Sequence, residues 1–434
     1  MNREILKLAI PNIISNITVP LLGLVDMILM GHLSSPVYIG AIALGGTIFS
    51  VMYSFFSFLR AGTTGFTAQA YGSKDTSEIS YSLYRSVTIA ILASLLLLAL
   101  QYPISKLSLT LLDGSDEVKQ LAITYFFVRI WAAPANMLLY CLNGWFIGMQ
   151  NTKIPMTIAI VINVLNIIFS IFFVVVMGQD VVGVALGTVI AQYCGLATAL
   201  VFLFVKYKSV FTKIEMPVLF DISKMKRFFK VNTDLMIRSI LLVFTIAFFT
   251  NQSAKLGDNI LSVNMILLQF FYIFSYFTDG FAYAGEALVG KFIGSRDSDN
   301  LNIVVKQLFK WGMFISVPFA ILYAIFPTPF VKLISDNPEI IQQVQPYYIY
   351  MAIIPVITFA AFLWDGIYIG ATASKAIRNT MIVSSVIVFL PLWYILVPHF
   401  GNHGLWIAFL GFMIARGITM TISAKKNILQ AIKD

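Results

Sequence analysis

Apolar runs of 20 residues or more recur from one end of this 434-residue chain to the other, and no other feature constrains its fold as much. Each is long enough to cross the roughly 30 Å hydrocarbon core of a bilayer as a helix. Clusters of charged, Gly, Pro and Asn residues divide the sequence into twelve segments, at about 8–33, 37–71, 80–102, 120–149, 154–177, 181–206, 228–254, 259–294, 303–330, 340–372, 378–397 and 402–424. No large polar stretch separates them, and only 11% of residues are charged, against roughly 25% in soluble domains. The chain therefore reads as an integral membrane protein. Lipid leaves two spanning architectures, helix bundles and closed barrels, because backbone polar groups must be satisfied internally. The segments are too long for barrel strands and lack their two-residue alternation. The expected class is an all-α integral membrane protein with twelve transmembrane helices.

The net charge of +9 raises nucleic acid or anionic lipid as partners, so the placement of the cations has to decide. Of the 29 Lys and Arg, 21 fall at the termini, in connections after even-numbered segments or at adjoining helix ends; four fall in connections after odd-numbered segments. The remaining four, Arg60, Arg129, Arg238 and Arg416, lie in or near spans. Positive-inside bias then puts both termini in the cytoplasm and accounts for the charge without nucleic acid. Lys206 to Lys230 is the longest candidate linker and a possible interfacial patch for anionic lipid. Cys141 and Cys194 lie in apolar runs at no metal or disulfide spacing. The N-terminus shows no cleavage site after a short apolar core, so it is expected to stay as a helix.

The chain repeats itself at half-length. Tyr71-Gly72-Ser73-Lys74-Asp75 returns 222 residues later as Ile293-Gly294-Ser295-Arg296-Asp297. Asn143-Gly144-Trp145-Phe146-Ile147-Gly148 returns at that offset as Asp365-Gly366-Ile367-Tyr368-Ile369-Gly370, and Gly183 matches Gly404 at 221. An even number of spans separates equivalent points, so the two six-helix halves run parallel, a design used by transporters with substrate between the repeats.

Asp26 lies inside the first run, where a charge costs several kcal/mol unless it faces a bundle interior or a wet cavity. Helical spacing puts Asn12, Ser15, Asn16, Gly23, Asp26 and Met30 in one sector. Asn163, Asn166 and Ser170 share a face of the fifth segment, and Thr188 and Gln192 a face of the sixth. Together they define a candidate ion-coupling chamber: shielding favours protonated Asp26 and hydration the ionised form. The same oxygens suit Na⁺ as the alternative. For each Asn, Ser or Thr alone, interhelical hydrogen bonding is the competing role, and for Asp26 a purely structural carboxyl.

In the second half Asp279, Tyr283 and Glu286 share a face of the eighth segment, Asp234 and Arg238 stand one turn apart on the seventh, and Asp365 is in the tenth. These are candidates for substrate contact. A structural Asp234–Arg238 pair is an equal expectation, and Glu286 and Asp365 are expected to reach water near the cytoplasmic ends. Aromatics such as Phe270, Phe271 and Phe274, with 17 Met, provide packing and a pliable wall. No zinc-protease, phosphate-loop or paired acidic metal motif is present, so neither cofactor nor catalytic residue is expected, and an ion gradient is the expected energy source.

These residues resemble a known family, the multidrug and toxic compound extrusion (MATE) transporters, and their DinF-like branch. The resemblance rests on Asn232-x-Asp234-x-x-x-Arg238-Ser239, Asp279-Gly280-Phe281-Ala282-Tyr283-Ala284-x-Glu286-Ala287, Asp365-Gly366-x-x-Ile369-Gly370-Ala371-Thr372, Asn143-Gly144-Trp145-x-Ile147-Gly148-x-Gln150 and Gly401-Asn402-His403-x-Leu405-Trp406, spread over both halves. It implies two pseudo-symmetric six-helix lobes in a V, alternating access, and antiport of amphipathic, often cationic compounds against H⁺ or Na⁺. It also implies a bacterial inner-membrane location. Asp26 matches the family's first-helix acidic residue, Asn166 its fifth-helix asparagine and Thr188 its sixth-helix threonine. Many members carry a second aspartate on the fifth helix; Ser170 stands there instead, which weakens a Na⁺ site at Asp26, Asn166 and Thr188 and favours H⁺. The expected organisation is a lobe at 1–206, a cytoplasmic linker at 207–227 and a lobe at 228–434, in a monomer. The competing functions are a lipid or lipid-linked-oligosaccharide flippase of the same superfamily and, remotely, a membrane-embedded enzyme.

Overall fold

The structure, a computed structural model, describes residues 1–31, 37–111 and 114–429; for 19–31, Leu111 and Leu429 it describes the backbone alone. The described chain is helical throughout. It begins with α1 (Asn2–Gly31), followed by α2 (Val37–Gly72), α3 (Thr76–Ala99), α4 (Asp116–Gly148) and α5 (Lys153–Val176). After α6 (Val181–Tyr207) comes α7 (Ile222–Lys255), then α8 (Asp258–Gly294), α9 (Ser298–Ile325), α10 (Pro338–Gly370), α11 (Ser374–Phe400) and α12 (Asn402–Ile428). Among the described residues eleven helices are long and apolar enough to span a membrane, and each coincides with one of the eleven expected segments after the first. Short helices at Gln101–Leu111 and Pro327–Lys332 follow α3 and α9.

The half-length repeat is built into the backbone. Among the described residues the non-glycine positions with positive φ are Lys74, Gln150, Arg296 and Thr372, two pairs in the same register. Each closes a helix in the same way: for α2, Lys74 N–H donates to Tyr71 O at 3.2 Å and Asp75 N–H to Ala70 O at 3.0 Å; for α8, Arg296 N–H donates to Ile293 O at 3.1 Å and Asp297 N–H to Phe292 O at 2.9 Å. These paired bonds satisfy carbonyls that a helix end otherwise leaves open, which offsets the left-handed strain. Asp75 and Asp297 then cap the next helix, accepting from Glu78 N–H and Asn300 N–H. Helix crossings repeat as well. A Cβ on Gly144 would lie 2.3 Å from Arg60 O, and one on Gly366 2.1 Å from Ala282 O, so α4 meets α2, and α10 meets α8, backbone to backbone.

The chain divides into two compact units, Met1–Ile13 with Phe228–Asp434, and Ile14–Arg227. This differs from the expected boundaries at the start of the chain. The reason is close packing: a Cβ on Gly280 of α8 would meet Ile13 Cγ1 at 2.3 Å and Ala9 O at 2.9 Å, and Trp311 Nε1 donates to Asn2 Oδ1 at 3.3 Å. Further along α1, Asn163 Nδ2 of α5 donates to Thr18 O at 3.2 Å, within the other unit. One helix is thus divided between the two units. Phe249, Leu267, Phe271, Trp406 and Phe409 centre the core of the first unit; Phe49, Tyr125, Phe126 and Met137 centre one in the second, where Trp145, Phe146 and Ile158 form another.

Candidate functional site

In the unit Ile14–Arg227, α5 and α6 are joined by a buried polar cluster. Asn166 Nδ2 donates to Thr188 Oγ1 at 2.9 Å, and Ser170 Oγ donates to Asn166 Oδ1 at 3.4 Å. Thr188 Oγ1 also donates to Val184 O one turn back, at 3.0 Å. All three residues are buried. The close approach depends on Gly187, where a Cβ would lie 2.7 Å from Ser170 Oγ. One turn from Asn166, Asn163 holds the α1 backbone at Thr18, on the helix that carries Asp26. Four of the five expected ion-coupling residues, Asn163, Asn166, Ser170 and Thr188, therefore line one stretch of α5 and its neighbours. The side chain of Asp26 lies outside the described residues. Gln192 on α6 and Asn143 on α4 each have a buried side-chain carbonyl oxygen with no hydrogen-bond partner among the described residues.

The second charged region lies in the other unit, with a pairing that differs from the expected one. Asp234 is not held by Arg238 one turn away. It is buried, accepting from Arg378 Nη1 at 2.6 Å and from Ser374 Oγ at 2.8 Å, both on the first turns of α11. Arg238 instead donates to Asp365 Oδ2 on α10. Asp365 Oδ2 accepts a second guanidinium bond, from Arg416 Nη2 on α12 at 2.5 Å. Nor do Asp365 and Glu286 reach water: they are 5% and 1% exposed. Position along a helix does not decide exposure here, because α8 and α10 are packed too closely for either side chain to turn outward, Gly370 standing where a Cβ would lie 2.5 Å from Glu286 O. Asp279 and Tyr283 are half-buried, and both, like Glu286, engage neighbouring groups.

Sequence reading missed Arg378 and Ser374 as partners and gave Arg416 no partner, since these residues stand 144, 140 and 51 positions from the carboxylates they bind. The repeat offered a usable signal. At the 222-residue offset, Asp234, Arg238 and Asp365 correspond to Asn12, Asn16 and Asn143. The same polar positions are thus charged in one half and neutral in the other. A further network also went unread. Asn264 Nδ2 donates to Ser253 Oγ and Asn402 Oδ1, both at 2.7 Å, while its Oδ1 accepts from Asn402 Nδ2 and Trp406 Nε1. It ties α7, α8 and α12 together. Among the described residues no group of His, Cys, Asp and Glu is arranged to hold a metal ion.

The MatE family profile matches this chain twice, at residues 11–172 and 235–395, once in each half of the repeat. DNA damage-inducible protein F of Escherichia coli is 35% identical over 96% of this chain and 91% of its own length. A probable multidrug resistance protein NorM of Thermotoga maritima is 24% identical over 96% of this chain and 90% of its own. Among solved structures, a MATE protein in a bent conformation superposes with a TM-score of 0.89 at 19% identity, covering 100% of this chain and 96% of that one. The Vibrio cholerae MATE transporter VcmN does so at 0.87 and 18% identity, covering 99% and 97%. Apolar segments repeated over two halves, a doubly matching profile and a shared fold lead to one assignment: this chain belongs to the MatE family of membrane transporters, with the DinF protein of E. coli among its relatives.

Proposed function

We propose that this protein exports small amphipathic, often cationic compounds by alternating access, each cycle driven by inward movement of a cation carried at Asp26. H⁺ is the favoured ion and Na⁺ the alternative. One observation carries this reading: in the spans of the other unit Asp234 and Asp365 are already committed to arginines, and Asp279 and Glu286 also engage neighbouring groups. Asp234 is held by Arg378, and Asp365 by Arg238 and Arg416. A buried carboxylate matched by a guanidinium has little left to offer a passing cation, and vacating Asp365 would strand the buried Arg416. Between Leu8 and Lys206, by contrast, Asp26 is the one acidic residue within an apolar run; Asp75, Glu78, Asp113, Asp116, Glu117 and Asp180 all stand at run ends. The neutral oxygens of Asn163, Asn166, Ser170 and Thr188 complete the proposed chamber. One carboxylate among neutral oxygens needs only desolvation and rehydration to take up and release a proton.

The names of the relatives support drug-like cargo, since the NorM proteins are described as multidrug resistance proteins. The Lys and Arg distribution supports cytoplasmic termini in a bacterial inner membrane, in a monomer of two six-helix lobes joined through 207–227, with the first turns of α1 packed in the C-terminal unit. The flippase reading requires cations available to a phosphate head group, whereas Arg238 and Arg416 are spent on Asp365 and Arg60 is also engaged. Proteoliposomes given a pH gradient without sodium test the proposal. The native chain exports an organic cation, and Asp26→Asn abolishes export while the protein still inserts. Unchanged export by the variant removes Asp26 from the mechanism, and no native export without sodium overturns the preference for H⁺.

A further inference from the structure

The unit Ile14–Arg227 carries an apolar groove that the transport reading does not use. It encloses about 560 Å³ between α3, α4 and α6, and the segment after α6 closes one end. Leu83, Val87 and Ile91 form one wall, Leu196 and Leu200 the other, and Lys208 is the only charged lining residue. Leu83 and Ile91 are eight helical steps apart, about 12 Å at the helical rise. That is close to the depth of one leaflet of a hydrocarbon core roughly 30 Å thick. Ile91, Leu200 and Phe204 are 45%, 37% and 60% exposed, so the groove opens sideways from spans surrounded by lipid.

The closed end is built rather than loose. Ser80 Oγ donates to Val210 O at 2.8 Å, Tyr84 OH to Thr212 O at 3.0 Å, and Thr212 N–H to Ser80 Oγ at 3.3 Å. Phe211 stacks on Tyr84 and on Trp145, at 6.1 Å in each case. These contacts fix the main chain around Lys208 over the groove's end. Lys206, Lys208 and Lys213 are all exposed there, with Glu215 the nearest acidic residue in sequence.

We propose that this groove binds an anionic glycerophospholipid, one acyl chain lying between α3 and α6 and the phosphate seated at Lys208. An apolar slot of about one-leaflet depth, ending at Lys208 on a held main chain, complements such a molecule in shape and charge. A zwitterionic lipid shares the acyl chains but lacks the net charge. Each lysine near a membrane surface strengthens binding of anionic lipid about fivefold.

Native mass spectrometry of the delipidated full chain, titrated with dioleoyl-phosphatidylglycerol or dioleoyl-phosphatidylcholine, tests the proposal. Phosphatidylglycerol is expected to bind about fivefold more tightly or better. Lys208→Gln removes most of that preference and leaves phosphatidylcholine unchanged, while Lys208→Arg keeps it. Leu200→Trp, which fills the groove, weakens both lipids, and Ile418→Trp, an exposed position on α12, weakens neither. Thermal melting establishes that each variant is folded, and should Leu200→Trp fail to fold, the Lys208 pair decides alone. Equal affinity for the two lipids, indifference of the preference to Lys208→Gln, or a dimer that Leu200→Trp dissociates overturns the proposal.

Discussion

Replacing Asp365 with Asn strands a charge that is now matched. Its carboxylate is 7% exposed and sits between Arg416, 1% exposed, and Arg238, 20% exposed. The substitution keeps the shape and removes the carboxylate that both guanidinium groups bond. Breaking a buried pair by deleting one partner costs about 3–5 kcal/mol, because the remaining charge stays desolvated. Arg416→Met should cost less, about 1.5–3 kcal/mol, the worth of one charge-assisted bond, because Arg238 still neutralises Asp365. The double variant leaves only Arg238, the most exposed of the three. It should therefore be less destabilised than the sum of the single variants by about 2 kcal/mol, within the range found for residues sharing one network. Detergent-solubilised protein unfolded by titration with a denaturing surfactant reads all four free energies. Strict additivity, or an Asp365→Asn variant as stable as the native chain, would refute the claim that these three side chains act as one unit.

Two further outcomes follow from the packing and the caps. Gly144→Ala and Gly366→Ala should each destabilise by about 1–3 kcal/mol, the usual cost of overpacking, since each added Cβ would fall against a backbone carbonyl that cannot rotate away; melting temperatures unchanged in both would show that the crossings are looser than described. Asn300, through its side chain and its backbone N–H, holds the Asp297 carboxyl below its usual range. The cap's contribution is then complete above the ordinary carboxylate range and is lost as pH falls through the lower folded value. Asp297→Ala should melt below the native chain at neutral pH, with the gap closing on acidification, and a pH-independent gap would count against the cap.

The segments and the repeat were legible because they rest on local facts. A run of 20 apolar residues has the same meaning wherever it packs, and the Gly-Ser-Lys-Asp turn reappears as Gly-Ser-Arg-Asp because the same helix-closing bonds are needed twice. The α5–α6 cluster was partly legible, since Asn163, Asn166 and Ser170 follow helical spacing; that Asn166 bonds to Thr188, 22 residues on, required the two helices to be docked. The charged cluster misled. Asp234 and Arg238 are close enough in sequence to pair, yet both have partners on other helices that leave less charge uncompensated.

The sequence alone determined that this is a helical membrane protein made of two repeated halves, because hydrophobic length and repetition are properties of short stretches that packing does not rewrite. Only the tertiary structure decided which carboxylate meets which arginine, where α1 passes from one unit to the other, and which buried atoms have partners. Those outcomes depend on how each helix is rotated and how closely it approaches its neighbour. That is set by backbone contacts at Gly144, Gly187, Gly280 and Gly366, whose partners lie tens to hundreds of residues away.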